Sequence, residues 1–204
     1  MLFYCDCRYI AHHAMVVGHM YRKGLPPPLD RCASMVDLAP LVRALGVQQF
    51  VSQIATQRQE LVRMMVRLGD LSQLTDDSIG ETAESAVSGI LFHLSKLAGM
   101  WADVLPASPA RGGDGPPVLH RALGALLGVV ATEVVKRAVA LGGLDTAAPG
   151  NQHEVRHLLR SLVDGVPGVF DKVPGGSGWA GSRLASFVPG WNALVSVASD
   201  MKNA

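Results

Sequence analysis

The chain has 204 residues, 49% of them hydrophobic, 17% charged and 5% aromatic, with a formal net charge of +1. That length holds one sizeable domain with a real core or part of a larger one, and the composition excludes a disordered chain. Residues 1–106 carry nine Lys/Arg against ten Asp/Glu and the remainder nine against seven, so no basic face for nucleic acid is implied.

The three cysteines all precede residue 33; they do not form a secreted disulfide framework and suit a reducing compartment. Asp6, Arg8, His12 and His13 interrupt the N-terminal apolar content, so no signal peptide is expected. The longest uncharged apolar run, Ala122–Thr132, is too short to span a bilayer and is ended by Glu133, Lys136 and Arg137. A soluble protein without a transmembrane segment is expected.

Residues 2–23 read as a first helix with Tyr9, Ile10, Val16, Val17 and Met20 as its apolar content. Gly24 and Pro26–Pro28 end it, and a connector runs to about Ser34. A second helix is expected over about Val36–Gly69, with Pro40 in its first turn, where a missing N–H costs little. Val47, Val51, Ile54, Leu61, Met65 and Leu68 form its heptad seam, broken by Arg58, which is expected to snorkel at the bundle edge.

The third helix, Ser78 to Pro106, carries the clearest signal. Val87, Ile90, Leu91, Leu94, Leu97 and Trp101 recur at steps of three and four, one wide apolar stripe. Ser78 with Glu81 makes a capping box, and Leu105-Pro106 stops the helix. Ala107–Pro117 holds three prolines and three glycines and reads as a flexible insertion. A fourth helix is expected from Val118 to Leu141. A fifth, capped by Asn151 and Glu154, runs to about Phe170 with Val155, Leu158, Leu159, Leu162, Val163 and Val166 as its stripe. Pro174–Pro189 reads as Gly/Ser-rich loop, and a short sixth helix fills Trp191–Lys202.

The expected fold is therefore all-α, an elongated antiparallel helical bundle or rod of about five to six helices. Its domains would be a three-helix segment 1–106, the insertion 107–117, and C-terminal helices 118–204 with a loop at 172–189.

Cys5, Cys7, His12, His13 and His19 suggest a metal set, but the spacing opposes it. On a helix Cys5 and Cys7 lie about 200° apart, and His12 and His19 sit about two turns apart, whereas chelation on one helix wants steps of three or four. Gly175–Gly181 shares only glycine content with a phosphate loop, lacking a preceding strand and a closing Gly-Lys-Ser/Thr. Gly124 and Gly128 are a small-xxx-small pair, read as close helix packing. Asp76, Asp77, Glu81 and Glu84 are explained as caps and a solvated face, and no nucleophile elbow is present. No catalytic, cofactor-binding or metal residue is assigned, and no cofactor is expected.

Five segments in order resemble one family. Cys7-Arg-Tyr-Ile-Ala-His-His13 with Gly18-His19 is similar to the start of the C-terminal region of zeste-white ten proteins. Met35-Val-Asp-Leu-Ala-Pro40 with Leu45-Gly46 and Phe50 resembles their next block, and Trp101-Ala-Asp-Val-Leu-Pro106 their Trp-x-Asp-Val-Leu-Pro element. Gly165-Val-Pro-Gly-Val-Phe170 and Val188-Pro-Gly-Trp191 resemble two later segments. The matching motif residues Tyr9, His12, His13, Asp37, Pro40, Trp101, Asp103, Pro106 and Trp191 are expected to be structural. The resemblance leaves out 107–117 and the loop before Pro189. It also leaves out the family's N-terminal helical region and its last helix, so a fragment, an incomplete gene prediction or a shortened form is expected.

The resemblance implies a helical-rod, CATCHR-like tethering fold and two non-enzymatic scaffold roles. One is a subunit of the endoplasmic reticulum tether that captures Golgi-derived vesicles and assists SNARE assembly. The other is membership of the Rod–Zwilch kinetochore complex in the spindle checkpoint. Implied partners are tether subunits, SNAREs and Rod/Zwilch-type subunits. Implied places are the cytoplasm, the endoplasmic reticulum periphery and, in mitosis, the kinetochore and spindle. Two alternatives are a zinc-binding protein or enzyme built on Cys5, Cys7, His12 and His13, and a lipid-binding amphipathic bundle, which the lack of a basic face disfavours.

Overall fold

The computed structural model describes residues 1–21, 24, 26, 35–69, 71, 77–105, 116–140, 149–171, 173 and 180–200. Among these residues it is all-α, with no strand and seven helices: α1 (Leu2–Tyr21), α2 (Leu38–Val66), α3 (Asp77–Ala102), α4 (Val118–Ala140), α5 (Pro149–Asp171), α6 (Ala180–Phe187) and α7 (Trp191–Asp200). The chain divides into two compact units, Met1–Thr56 and Gln57–Ala204, the division falling within α2.

The helix beyond the expected five or six is α6, inside the segment read as Gly/Ser-rich loop. Leu184 and Phe187, three residues apart, are both buried, and that short amphipathic face is hidden in sequence by the glycines before it. Two helix starts also differ from expectation. α3 begins at Asp77, which puts Ser78 inside the first turn. α5 begins at Pro149, whose fixed φ suits a first turn, so Asn151 is not its cap. Pro106, most of the 107–117 insertion and residues 174–179 lie outside the described residues.

In the unit Met1–Thr56, α1 does not bury its expected stripe. Cys7, Ala11 and Ala14, at steps of four and three, are buried together with Ala39, and Val42 packs against them. Tyr9, Ile10 and Met20 are more than half exposed. Close approach decides between the two faces. A Cβ placed on Gly46 of α2 would stand 2.7 Å from the Cβ of Cys7, so only small side chains fit between α1 and α2. Tyr4 and Phe50 close one end with ring centroids 4.9 Å apart. The α2 seam fails here for the same reason: Val47 and Val51 are 50% and 58% exposed, while Gly46 and Ala39 take the buried face.

In the unit Gln57–Ala204 the expectations hold more closely. Leu61, Met65 and Leu68 continue the seam and are buried, and on α3 Val87, Ile90, Leu94, Leu97 and Trp101 are buried, with Leu91 half-buried. α3 packs most extensively on α5; α4 packs on α3, α6 and α7, and α5 also on α6 and α7. On α5, Val155, Leu158, Leu159, Leu162 and Val166 are buried. The helix runs through Pro167, which removes one backbone bond, and Val169 and Phe170 beyond it are buried as well. Gly124 and Gly128 do mark close packing: a Cβ on Gly124 would strike the carbonyl oxygen of Phe187, and one on Gly128 would lie 2.7 Å from the Pro189 ring.

α4 corrects one sequence expectation. By length and composition it is able to cross a membrane, since an 18-residue window of it holds no more than two charged residues. Counting only the uncharged run Ala122–Thr132 undercounts it. In the structure 61% of that window is buried inside the protein, as in the core helix of a bundle.

Candidate protein-interaction site

The residues singled out by sequence fall into two groups. Trp101 and Trp191 are buried, at 5% and 8% exposure. Tyr9, His12, His13, Asp37, Pro40 and Asp103 are exposed. The structure does not gather the Cys/His set. Cys7 is buried against Gly46 while His12, His13 and His19 lie on the solvent side. The His13 ring lies 4.1 Å from that of Tyr9, tilted at 52° to it. Among the described residues no group of three or more His, Cys, Asp or Glu is placed to hold a metal ion.

The outer face of α1 is apolar. Leu2, Tyr9, Ile10 and Met20 are each 52–67% exposed; Leu2, Tyr9, Val16 and Met20 share the side opposite Cys7, Ala11 and Ala14 with Asp6 and His13, and Ile10 flanks them. On α2, Leu38, Leu41 and Leu45 form another exposed row. Exposed apolar side chains grouped on one helix face are the kind of surface that protein contacts use.

The second unit holds a groove between α2 and α4, a cavity of about 430 Å³. Val62, Met65 and Val66 line one wall, Ala125, Gly128, Val129 and Thr132 the other, and Pro189 closes it beside Gly128. Arg58, exposed as expected of a snorkelling arginine, stands at the rim. Arg137 fixes the end of the groove. Its guanidinium donates to the carbonyl oxygens of Met65 at 2.9 Å and Gly69 at 3.2 Å, and pairs with Glu133 at 3.0 Å. It thereby satisfies carbonyls at and just beyond the C-terminal end of α2, where Gly69 stands at φ 64°. Sequence reasoning missed this clamp, because its partners lie 68 and 72 residues apart.

Behind α4, His120 is buried in an aromatic cluster. Its ring stacks on Phe170 at 5.8 Å and meets Phe187 edge-on, and burial lowers its pKa from the usual imidazole value. The described residues offer exposed apolar side chains for contact, and Arg137 ties α4 to the end of α2.

Residues 1–63 match the family described as "Centromere/kinetochore protein zw10, C-terminal". The chain is 32% identical over 166 residues to the rat protein named centromere/kinetochore protein zw10 homolog, and 31% identical over 166 residues to the mouse homolog. Each comparison covers 81% of this chain and 20% of the relative; the chain spans about a fifth of the length of the curated relatives it matches. The ordered motifs and these comparisons agree: the chain is similar to the C-terminal region of zw10 proteins.

Proposed function

We propose that the protein is a non-enzymatic helical scaffold that docks other protein subunits, at the kinetochore in cell division and in vesicle tethering between Golgi and endoplasmic reticulum. The observation that carries this reading is the likeness to proteins named for the centromere and kinetochore over 81% of the chain. The apolar outer face of α1, which lies within the matched residues 1–63, supports it, since such a face is suited to helix-to-helix docking. In this reading the partners are Rod/Zwilch-type subunits in mitosis, and tether subunits and SNAREs in interphase. Membrane association is peripheral and runs through those partners. The segments 1–106 and 118–204 are joined through 107–117, and Trp101 and Trp191 hold the core of the unit Gln57–Ala204.

The test is affinity purification of the tagged chain from interphase and mitotic extracts, with partners identified by mass spectrometry. Recovery of kinetochore subunits from mitotic extract and tether subunits or SNAREs from interphase extract is expected. Recovery of neither set from either extract refutes the proposal.

A further inference from the structure

We infer that the groove between α2 and α4 is a docking site for an acidic amphipathic helix of a protein partner. The inference rests on the scaffold reading and adds the chemistry of what is docked. The first ground is shape. On α4, Ala125, Gly128 and Thr132 follow at steps of three and four, a floor of small side chains, and on α2 the exposed Val62 and Val66 stand four apart as a ridge. A helix laid against a small-residue floor approaches closely and buries apolar area against the ridge. Val62 and Val66 are 45% and 69% exposed, so the apolar wall has no full cover among the described residues.

The second ground is charge. Arg121 and Lys136 are exposed on the same face of α4 as the floor, one at each end, and Arg58 stands on the facing rim. They are fifteen residues apart, about 22 Å or roughly four turns at 1.5 Å per residue. The acid of the groove, Glu133, is already held by Arg137 at 3.0 Å. Among the described residues no ion pair engages Arg58, Arg121 or Lys136. An apolar channel whose cations at both ends and one rim are paired by no described acid selects a helix of about four turns, apolar on one face and carrying carboxylates near both ends. A basic helix is repelled at the same positions.

The groove is tested on the full chain by fluorescence anisotropy with two labelled designed helices. Each has about 18 residues and a leucine face; one carries Glu near both ends and the other Lys. The acidic helix is expected to bind about tenfold more tightly at low salt, with the advantage shrinking as ionic strength rises. Ala125→Tyr, at an exposed position, is expected to weaken binding about tenfold with the melting temperature unchanged. Arg121→Glu with Lys136→Glu is expected to reverse the preference. Equal binding of the two helices, no binding, or indifference to Ala125→Tyr each overturns the inference. So does self-association in sedimentation that Ala125→Tyr abolishes, which would make a second copy the occupant. This assay reads the groove and the affinity purification reads the scaffold, so either fails independently.

Discussion

Two residues in the second unit carry sharp consequences. Trp101 ends the α3 stripe at 5% exposure, and the backbone turns directly after it, with the Leu105 N–H donating to the Trp101 carbonyl at 2.7 Å. Trp101→Ala should destabilise the fold by about 3–5 kcal/mol, the range for truncating a buried aromatic; denaturant unfolding measures it, and a loss below about 0.5 kcal/mol would be a surface response. His120 is different in kind. Its folded pKa is depressed by burial, so the unfolded chain binds the proton more readily. The contribution is complete above the ordinary value of 6.5 and is lost as pH falls below it. The melting temperature should therefore drop between pH 7.5 and pH 5.5, and His120→Leu should flatten that slope. An unchanged slope in the variant would show that His120 is not the group responsible.

At the scale of the element, α1 is the instructive case. Both of its faces are apolar, and the face with the larger side chains is the one left exposed. Hydrophobicity alone ranks Tyr9, Ile10 and Met20 above Cys7, Ala11 and Ala14, whereas the space set by Gly46 admits only the small set. Ala11→Leu should then cost about 1–3 kcal/mol through overpacking, while Ile10→Ala should change stability by less than about 0.5 kcal/mol. Thermal melts of the two variants decide between the faces. A larger loss for Ile10→Ala would reverse the assignment. α3 presents less of a conflict, because Val87, Ile90, Leu94, Leu97 and Trp101 occupy one buried stripe, although Phe92 and Met100 are left 71% and 50% exposed on other faces.

For the whole molecule, the unit Met1–Thr56 carries exposed apolar side chains on both of its helices, among them Tyr9, Ile10, Leu41 and Val51. A partner-free chain should bind a hydrophobic dye and gain solubility on Ile10→Lys with Leu41→Lys and Val51→Lys, at unchanged melting temperature. Dye binding that does not fall in the triple variant would place the apolar surface elsewhere. The all-α class, the α3 and α5 stripes and the family resemblance were legible in the chain, since each depends on residues a few positions apart whose periodicity is set by the helix itself. The buried face of α1, the extra helix α6 and the groove were not. Each depends on what a distant segment brings alongside: Gly46 beside Cys7, Phe187 beside Gly124, and Arg137 beside carbonyls at and just beyond the end of α2. Local sequence determined which segments coil and which residues are apolar. Only the tertiary structure decided which apolar faces are covered, because that choice turns on the space between helices rather than on the hydrophobicity of either one.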